Sequence, residues 1–580
     1  MNGAAEQGAE RDVSVGQAAP DTRTFGQNQA TSSGDRRDIR RWDLARQLPL
    51  VLTVGAALGI GIFERVWYLR HDPINSDEAL VGILARHLLA GHANAFLLGQ
   101  PYGGVEPYVV AALFGAFGSS PITLQVPVVV LDAVACVLVW RVGRRLVARP
   151  AIALVAAAAM WAAPQSAVWN STLEYGFRGV TLVCGVAMLL LALRITQGDA
   201  SRVDAPMLGL VAGVGWWSSP EIAYFAVPAV LWLLSWAWHT RRASTTYRHI
   251  GVAMIGAGVG AMPWLWDNVG VGFPSLAVSR YDAPAHPLPY LTRVSTFVHY
   301  SFPMTLDLRV PRSGAFDLPA SLAIALTLLA GIVIVGSAVW CLLDRTKGAA
   351  LGCAVLAYPF ILAVAPAGAD WQSARYTNFF VPLVLLLLVV TTDKLVSPAR
   401  RFRRRHLGWS ASLAIASALG MVLALSVVAF GVWGSINDPA GAHLRAGSPD
   451  APAQELVHAL EQNGITAGYA DYWVAYKLDF LSDGGLSIAD TPPSPDRLPS
   501  VRATLRATRA RHQAWIFVPP TLTARTEYAP TVIIEGPSGL PETTFIDDLH
   551  RLSIPSRVLH LAGADVVICS RAVTPSEVGL

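Results

Sequence analysis

Apolar residues run in long blocks through the first three quarters of the chain and thin out beyond it. Blocks near 47–69, 119–140, 150–164, 179–194, 206–219, 221–238, 250–269, 318–342, 348–366, 376–392 and 408–434 approach the roughly 20 residues that cross a bilayer. Several are short or interrupted by proline, and together they predict about 11 transmembrane helices. The polar stretches between them are not equivalent. One alternating set is rich in arginine: Arg141, Arg144, Arg145 and Arg149; Arg194 and Arg202; Arg241, Arg242 and Arg248; Arg345 and Lys347; then Lys394, Arg400, Arg401, Arg403, Arg404 and Arg405. Positive charge concentrates in cytoplasmic loops, so this set is expected inside, and an odd number of spans places the C-terminal portion outside. Two segments expected outside are long, 71–120 and 270–317, and long loops on one face tend to carry function.

From 435 to 580 the pattern shortens. Ala453–Asn463 has helical spacing and ends at Gly464, a suitable C-cap. Arg502–Arg511 and Glu542–Leu552 also read as helices. Gly468–Ala470, Leu486–Ala489, Ala514–Val518, Val532–Ile534, Val558–His560 and Val566–Cys569 read as strands, giving a small extracytoplasmic α/β domain. The fold class is therefore a polytopic α-helical membrane core over 47–434, an α/β domain over 435–580, and a polar, disordered cytoplasmic tail over 1–46.

Composition agrees. Charged residues make up 14% of the 580-residue chain, against about 25% in soluble domains, and mean hydropathy is +0.43. A soluble enzyme and a fibrous repeat are excluded. Net charge is only +4, and no basic patch points to nucleic acid. The five cysteines form no Cys-x-x-Cys pair, so neither a disulfide framework nor a thiolate metal site is expected. Asp132 lies inside an apolar block, where an acid needs a polar partner in the bundle.

The first outer loop carries the candidate chemistry. After Ser76, an apolar stripe at helical spacing (Leu80, Val81, Ile83, Leu84, Leu88 and Leu89) ends at Gly91, so Asp77 and Glu78 occupy the first turn of an amphipathic helix. Acids there also complement the helix dipole, which is the structural alternative. Further on, Gly99-Gln-Pro-Tyr-Gly-Gly-Val-Glu106 makes a tight turn in which Gln100, Tyr102 and Glu106 offer an amide, a phenol and a third acid suited to a sugar. No Asp-x-Asp stands in the outer loops, and neither metal nor cofactor is expected.

A first span, then Asp77-Glu78 opening an amphipathic helix, then the Gly-Gln-Pro-Tyr turn resembles the first periplasmic loop of GT-C superfamily glycosyltransferases. The likeness is nearest to the family 39 group, with its dolichyl-phosphate-mannose protein mannosyltransferases and lipid A aminoarabinose transferases. Glu174–Gly179, Pro263–Asn268 and Ala374–Tyr376 support it. The resemblance implies a hexosyltransferase that uses a polyprenyl-phosphate sugar donor on the outer face of the cell membrane, with inversion at the anomeric carbon. It leaves open whether the acceptor is a protein, a lipid or a wall glycan.

Such a donor already carries a good leaving group. The protein must supply a base for the acceptor hydroxyl and positive charge for the departing phosphate. Asp77 is the candidate base, with Glu78 orienting the acceptor or tuning Asp77. Adjacent residues splay apart on a helix, so the two carboxylates are not expected to flank one bond. Arg178 and Arg375, at outer ends of expected spans, are the candidate phosphate ligands, because guanidinium binds phosphate bidentately. Snorkelling to the interface is the structural alternative for both. Two further readings are a transporter or flippase of lipid-linked sugars, which would need inverted repeats or broken helices, and a non-catalytic envelope-assembly protein.

Overall fold

In the computed structural model, residues 32–100, 102–162, 164–240, 243–277, 288–310, 314–316, 318–344, 347–365, 375–403, 449–491, 497, 513–518 and 539–580 are described. The chain forms two compact units, Met1–Thr53 and Val54–Leu580.

The membrane half is built from α1 (Ser32–His71), α2 (Ser76–Leu89), α3 (Glu106–Phe117), α4 (Pro121–Leu146), α5 (Pro150–Ala162), α6 (Gln165–Asn170), α7 (Arg178–Thr196), α8 (Asp204–Ser218), α9 (Ala223–Thr240), α10 (Ala243–Gly260) and α11 (Met262–Val271), followed by helices at Ala320–Leu343, Ala349–Leu362 and Phe380–Arg403. Among the described residues, six helical segments are long and apolar enough to span a bilayer: Leu50–His71, Pro121–Leu146, Arg178–Thr196, Pro220–His239, Ala320–Leu343 and Arg375–Leu395. The pair Tyr247–Gly260 and Met262–Gly270, bent by 64°, adds a seventh if it counts as one span. The expected spans 150–164, 206–219 and 348–366 form helices of 13, 15 and 14 residues, shorter than a bilayer is thick. The run 408–434 lies outside the described residues.

Small residues set the closest helix contact. Gly209 and Gly213 on α8, and Gly256 and Gly260 on α10, each face backbone of the other helix, where a Cβ would strike a carbonyl oxygen. Paired small-xxx-small faces of this kind let helix backbones touch. The acid at 132 has the partner its position requires. Its carboxylate lies 2.6 Å from Arg65 Nη2, while Arg65 Nη1 donates to the carbonyls of Gly61 at 2.9 Å and Trp161 at 2.8 Å. The arginine-rich loops are knit by ion pairs: Arg145–Asp199 at 3.0 Å, Arg149–Asp393 at 3.1 Å, Arg194–Asp204 at 2.9 Å, and Lys394–Asp344.

The C-terminal part holds a five-stranded sheet in the order β2-β1-β3-β5-β4, from β1 (Ala467–Tyr469), β2 (Ser487–Ala489), β3 (Gln513–Phe517), β4 (Ser556–Leu561) and β5 (Ala564–Cys569). β1 pairs parallel with β2 and β3, while β3–β5 and β5–β4 are antiparallel. Helices Ala451–Gln462 and Glu542–Arg551 fall where the periodicity predicts them. The expected helix 502–511 and strand 532–534 lie outside the described residues.

One further helix, Tyr472–Leu481, was not legible as such, and it packs on α2 rather than only on the sheet. The Phe480 ring fills the space a Cβ at Gly82 would need. It also stacks on Phe114, with centroids 6.3 Å apart, and lies 4.4 Å beneath the Arg86 guanidinium, which is paired with Asp483 at 3.0 Å. Asp471 caps this helix, accepting from Trp473 N at 2.9 Å.

Burial raises the Asp471 carboxyl from 3.8 to about 6, so the folded protein prefers it protonated. Its ionisation therefore costs stability as pH rises from about 4 through about 6, by up to about 3 kcal/mol in all. Asn caps comparably without ionising. We expect Asp471→Asn to flatten the fall in thermal stability across that pH window, measured in detergent. An unchanged slope would exclude this origin.

Candidate active site

Asp77 and Glu78 sit in the first turn of α2 but face different surroundings. Asn75 is the N-cap: its Oδ1 accepts from Glu78 N at 3.0 Å, and Glu78 Oε2 accepts from Asn75 N at 3.1 Å. This reciprocal capping box turns Glu78 inward. Glu78 is fully buried, and its Oε1 accepts from Gln125 Nε2 at 2.9 Å and from Glu174 N at 3.1 Å. Its contacts are those of a residue that fixes α2 to α4 and to the loop before α7. Asp77 points the other way. Its side chain is 23% exposed, Oδ1 accepts from the Tyr472 hydroxyl at 2.6 Å, and Oδ2 lies 3.8 Å from Arg375 Nη1.

Arg178 and Arg375, 197 positions apart in sequence, converge on two tyrosines. The Arg178 guanidinium lies 4.0 Å over Tyr175 and 5.5 Å from the Tyr376 ring, while that of Arg375 lies 5.3 Å from Tyr376 and 5.9 Å from Tyr175. Arg178 opens α7, is 6% exposed, and has Nε and Nη1 buried with no hydrogen-bond partner among the described residues. A buried guanidinium left unsatisfied in this way is costly unless a ligand completes it. It lines a cleft with Asn170, Ser171 and Asn378. Glu221 lies within electrostatic reach of both arginines.

Glu106 is brought to this neighbourhood but not to its surface. It is fully buried, and its Oε1 accepts from Val180 N at 2.5 Å, which caps the start of α7. Its neighbour Glu174 is also fully buried and accepts from Gly176 N at 2.8 Å. Burial first, and then the adjacent Glu106, push the Glu174 carboxyl well above the usual range, so Glu174 holds a proton. A neutral Glu174 adds no second carboxylate charge beside Glu106, so less of the Arg178 charge is neutralised within the protein.

Gln100 and Tyr102 face a different partner. The Gln100 amide lies 2.8 Å from both terminal nitrogens of Arg497, oriented so that its oxygen accepts, and Arg497 Nη1 also donates to Gly99 O at 3.1 Å. Tyr102 packs edge-on against Phe177, with centroids 5.1 Å apart. The turn itself needs its glycines: Gly103 has φ +73°, and a Cβ at Gly104 would overlap the Ala95 carbonyl. Sequence reasoning missed Tyr472 and Arg497. Nothing local announces that Tyr472 opens a helix, or that it meets Asp77, 395 positions away. Among the described residues, no cluster of three or more His, Cys, Asp or Glu side chains could hold a metal ion.

Comparison with known proteins bears on this geometry. The sequence model of the dolichyl-phosphate-mannose-protein mannosyltransferase family matches residues 104–266, a stretch that holds Glu106 and Arg178 but neither Asp77 nor Arg375. The structure is similar to that of apo ArnT from Cupriavidus metallidurans, with a TM-score of 0.54 at 14% identity over 92% of this chain and 100% of that one. It is also similar to the same protein bound to undecaprenyl phosphate, with a TM-score of 0.51 at 16% identity over 90% and 98%. No curated protein matches the sequence. The family match and the shared fold uphold the resemblance to GT-C family 39-like membrane glycosyltransferases, on a multi-pass helical frame.

Proposed function

We propose that this protein transfers a sugar from a polyprenyl-phosphate donor to an acceptor hydroxyl on the outer face of the cell membrane. The observation that carries this reading is the placement of one part-exposed carboxylate, Asp77, 3.8 Å from Arg375, with the unsatisfied Arg178 sharing the same pair of tyrosines. In the proposed reaction Asp77 takes the acceptor's proton. The acceptor oxygen forms its bond to the anomeric carbon as the bond from that carbon to the phosphate oxygen breaks. The departing polyprenyl phosphate keeps the electron pair and settles against Arg178 and Arg375. A single displacement inverts the anomeric configuration. The undecaprenyl phosphate held by Cupriavidus ArnT supports a lipid phosphate as the donor's carrier.

For orientation, we propose a cytoplasmic N-terminus and an extracytoplasmic region 435–580. Two features support it: the ion pairs that join the arginine-rich loops to one another, and the contact of Tyr472 with Asp77, which keeps the first outer loop beside the C-terminal sheet. Glu78 and Glu106 are proposed as buried supports for α2 and α7, and Gln100 and Tyr102 as the wall of the acceptor side.

The test compares cells with and without the gene. Loss of one envelope glycan modification, with accumulation of one polyprenyl-phosphate sugar, is the expected result. Unchanged glycans and unchanged lipid-linked sugars would reject the proposal.

A further inference from the structure

We infer that the C-terminal region completes the site: Tyr472 is a positioning residue that fixes the Asp77 carboxylate so that Oδ2, on the Arg375 side, is the oxygen that receives the acceptor's proton. This rests on the reading of Asp77 as the base. A free aspartate at a helix N-terminus can rotate and present either oxygen. Here Oδ1 is committed to the Tyr472 hydroxyl at 2.6 Å, the length of a strong hydrogen bond to a carboxylate. Among the described residues Oδ2 accepts no comparable bond, since the Arg375 nitrogen at 3.8 Å is beyond hydrogen-bonding distance.

Tyr472 is itself well held. Its ring meets Trp473 and Tyr476 edge-on, with centroids 4.9 and 5.3 Å away, and Tyr476 donates to Asp490 at 3.0 Å. The helix it begins is anchored on α2 by Phe480 over Gly82, one turn beyond Asp77. Burial, and then the charge of Asp77, push the Tyr472 hydroxyl well above its ordinary ionisation range, so it remains a donor. A second arm reaches the far end of the same loop, where Arg497 holds Gly99 and Gln100. The region 435–580 thus grips the first outer loop at both of its polar ends, and Tyr472 is the grip that touches the base.

Tyr472→Phe keeps the ring and removes the bond. Two measurements on the full chain in lipid nanodiscs test the inference. In the first, 3-fluorotyrosine is placed at position 472 and its 19F signal is compared with and without Asp77→Asn. This reads the contact independently of any reaction, and the signal is expected to move. In the second, sugar transfer is measured from the radiolabelled polyprenyl-phosphate sugar pool of the native membrane. Tyr472→Phe is expected to lose about tenfold or more in turnover, as for a lost hydrogen bond to a charged group. Combined with Asp77→Asn it should lose nothing further, because a positioning residue acts only through the group it positions. An unmoved 19F signal overturns the inference, as does full turnover in Tyr472→Phe while Asp77→Asn is inactive. Full turnover in Asp77→Asn rejects the base itself, and the role of Tyr472 with it.

Discussion

Asp77→Asn lowers sugar transfer by about 10²–10⁴-fold, the usual cost of removing a general base. Asn keeps the size of the side chain and an oxygen for the Tyr472 hydroxyl, but it cannot take a proton. The fold has little stake in the exchange. The N-cap of α2 is Asn75 and the buried partner in its capping box is Glu78, so Asp77 is not what holds the helix start together. If Asp77 served only the helix dipole, Asn would cost about 0.3–1 kcal/mol of stability and leave turnover intact. Glu78→Gln should behave in the opposite way. It disturbs a buried residue that joins Asn75, Gln125 and Glu174, so it should lower thermal stability more than Asp77→Asn does. Turnover and unfolding temperature measured together on both variants separate the roles. A stable, fully active Asp77→Asn would remove the catalytic assignment.

The second large effect is at Arg178. Its buried Nε and Nη1 have no hydrogen-bond partner among the described residues, and a phosphate oxygen would satisfy either one. Arg178→Ala should therefore weaken use of the donor by about 10–100-fold, the value of a hydrogen bond between charged groups. Arg178→Lys should recover only part, because an ammonium cannot reproduce the guanidinium fork. Arg375→Ala should act in the same direction, and the two losses should not simply add, since both side chains pack on Tyr175 and Tyr376. The measurement is binding of undecaprenyl phosphate alongside turnover. Unchanged binding and turnover with Ala at both positions would remove the pair from the site.

The sequence carried the membrane architecture because hydropathy and arginine asymmetry are local and strong. The Asp132 prediction held for the same reason: an acid in an apolar block must find a partner, though only the fold supplies Arg65. Span counting was weaker. The expected runs 150–164 and 348–366 give helices that end at Ala162 and Leu362, and composition alone cannot mark where a helix stops. In the site, the adjacency of Asp77 and Glu78 read as one functional pair. The capping box that buries Glu78 is visible in hindsight as Asn75-x-x-Glu78. Glu106 looked like part of an exposed turn, but the residue after Val105 begins α3 and is drawn under α7. Arg178 and Arg375 were found one at a time from their places at span ends. Their convergence on shared tyrosines, and the arrival of Tyr472 and Arg497 from beyond residue 470, are long-range contacts with no local signature.

The central claim is transfer chemistry at the outer face, and it is tested most directly with purified protein in vesicles loaded with labelled polyprenyl-phosphate sugars from the native membrane, supplied with an envelope acceptor extract. The account predicts that label leaves the lipid for the acceptor with inverted anomeric configuration, leaves free polyprenyl phosphate behind, and does so neither without the protein nor with Asp77→Asn. Lipid-linked sugar that crosses the bilayer intact, or stays on its lipid throughout, would contradict it.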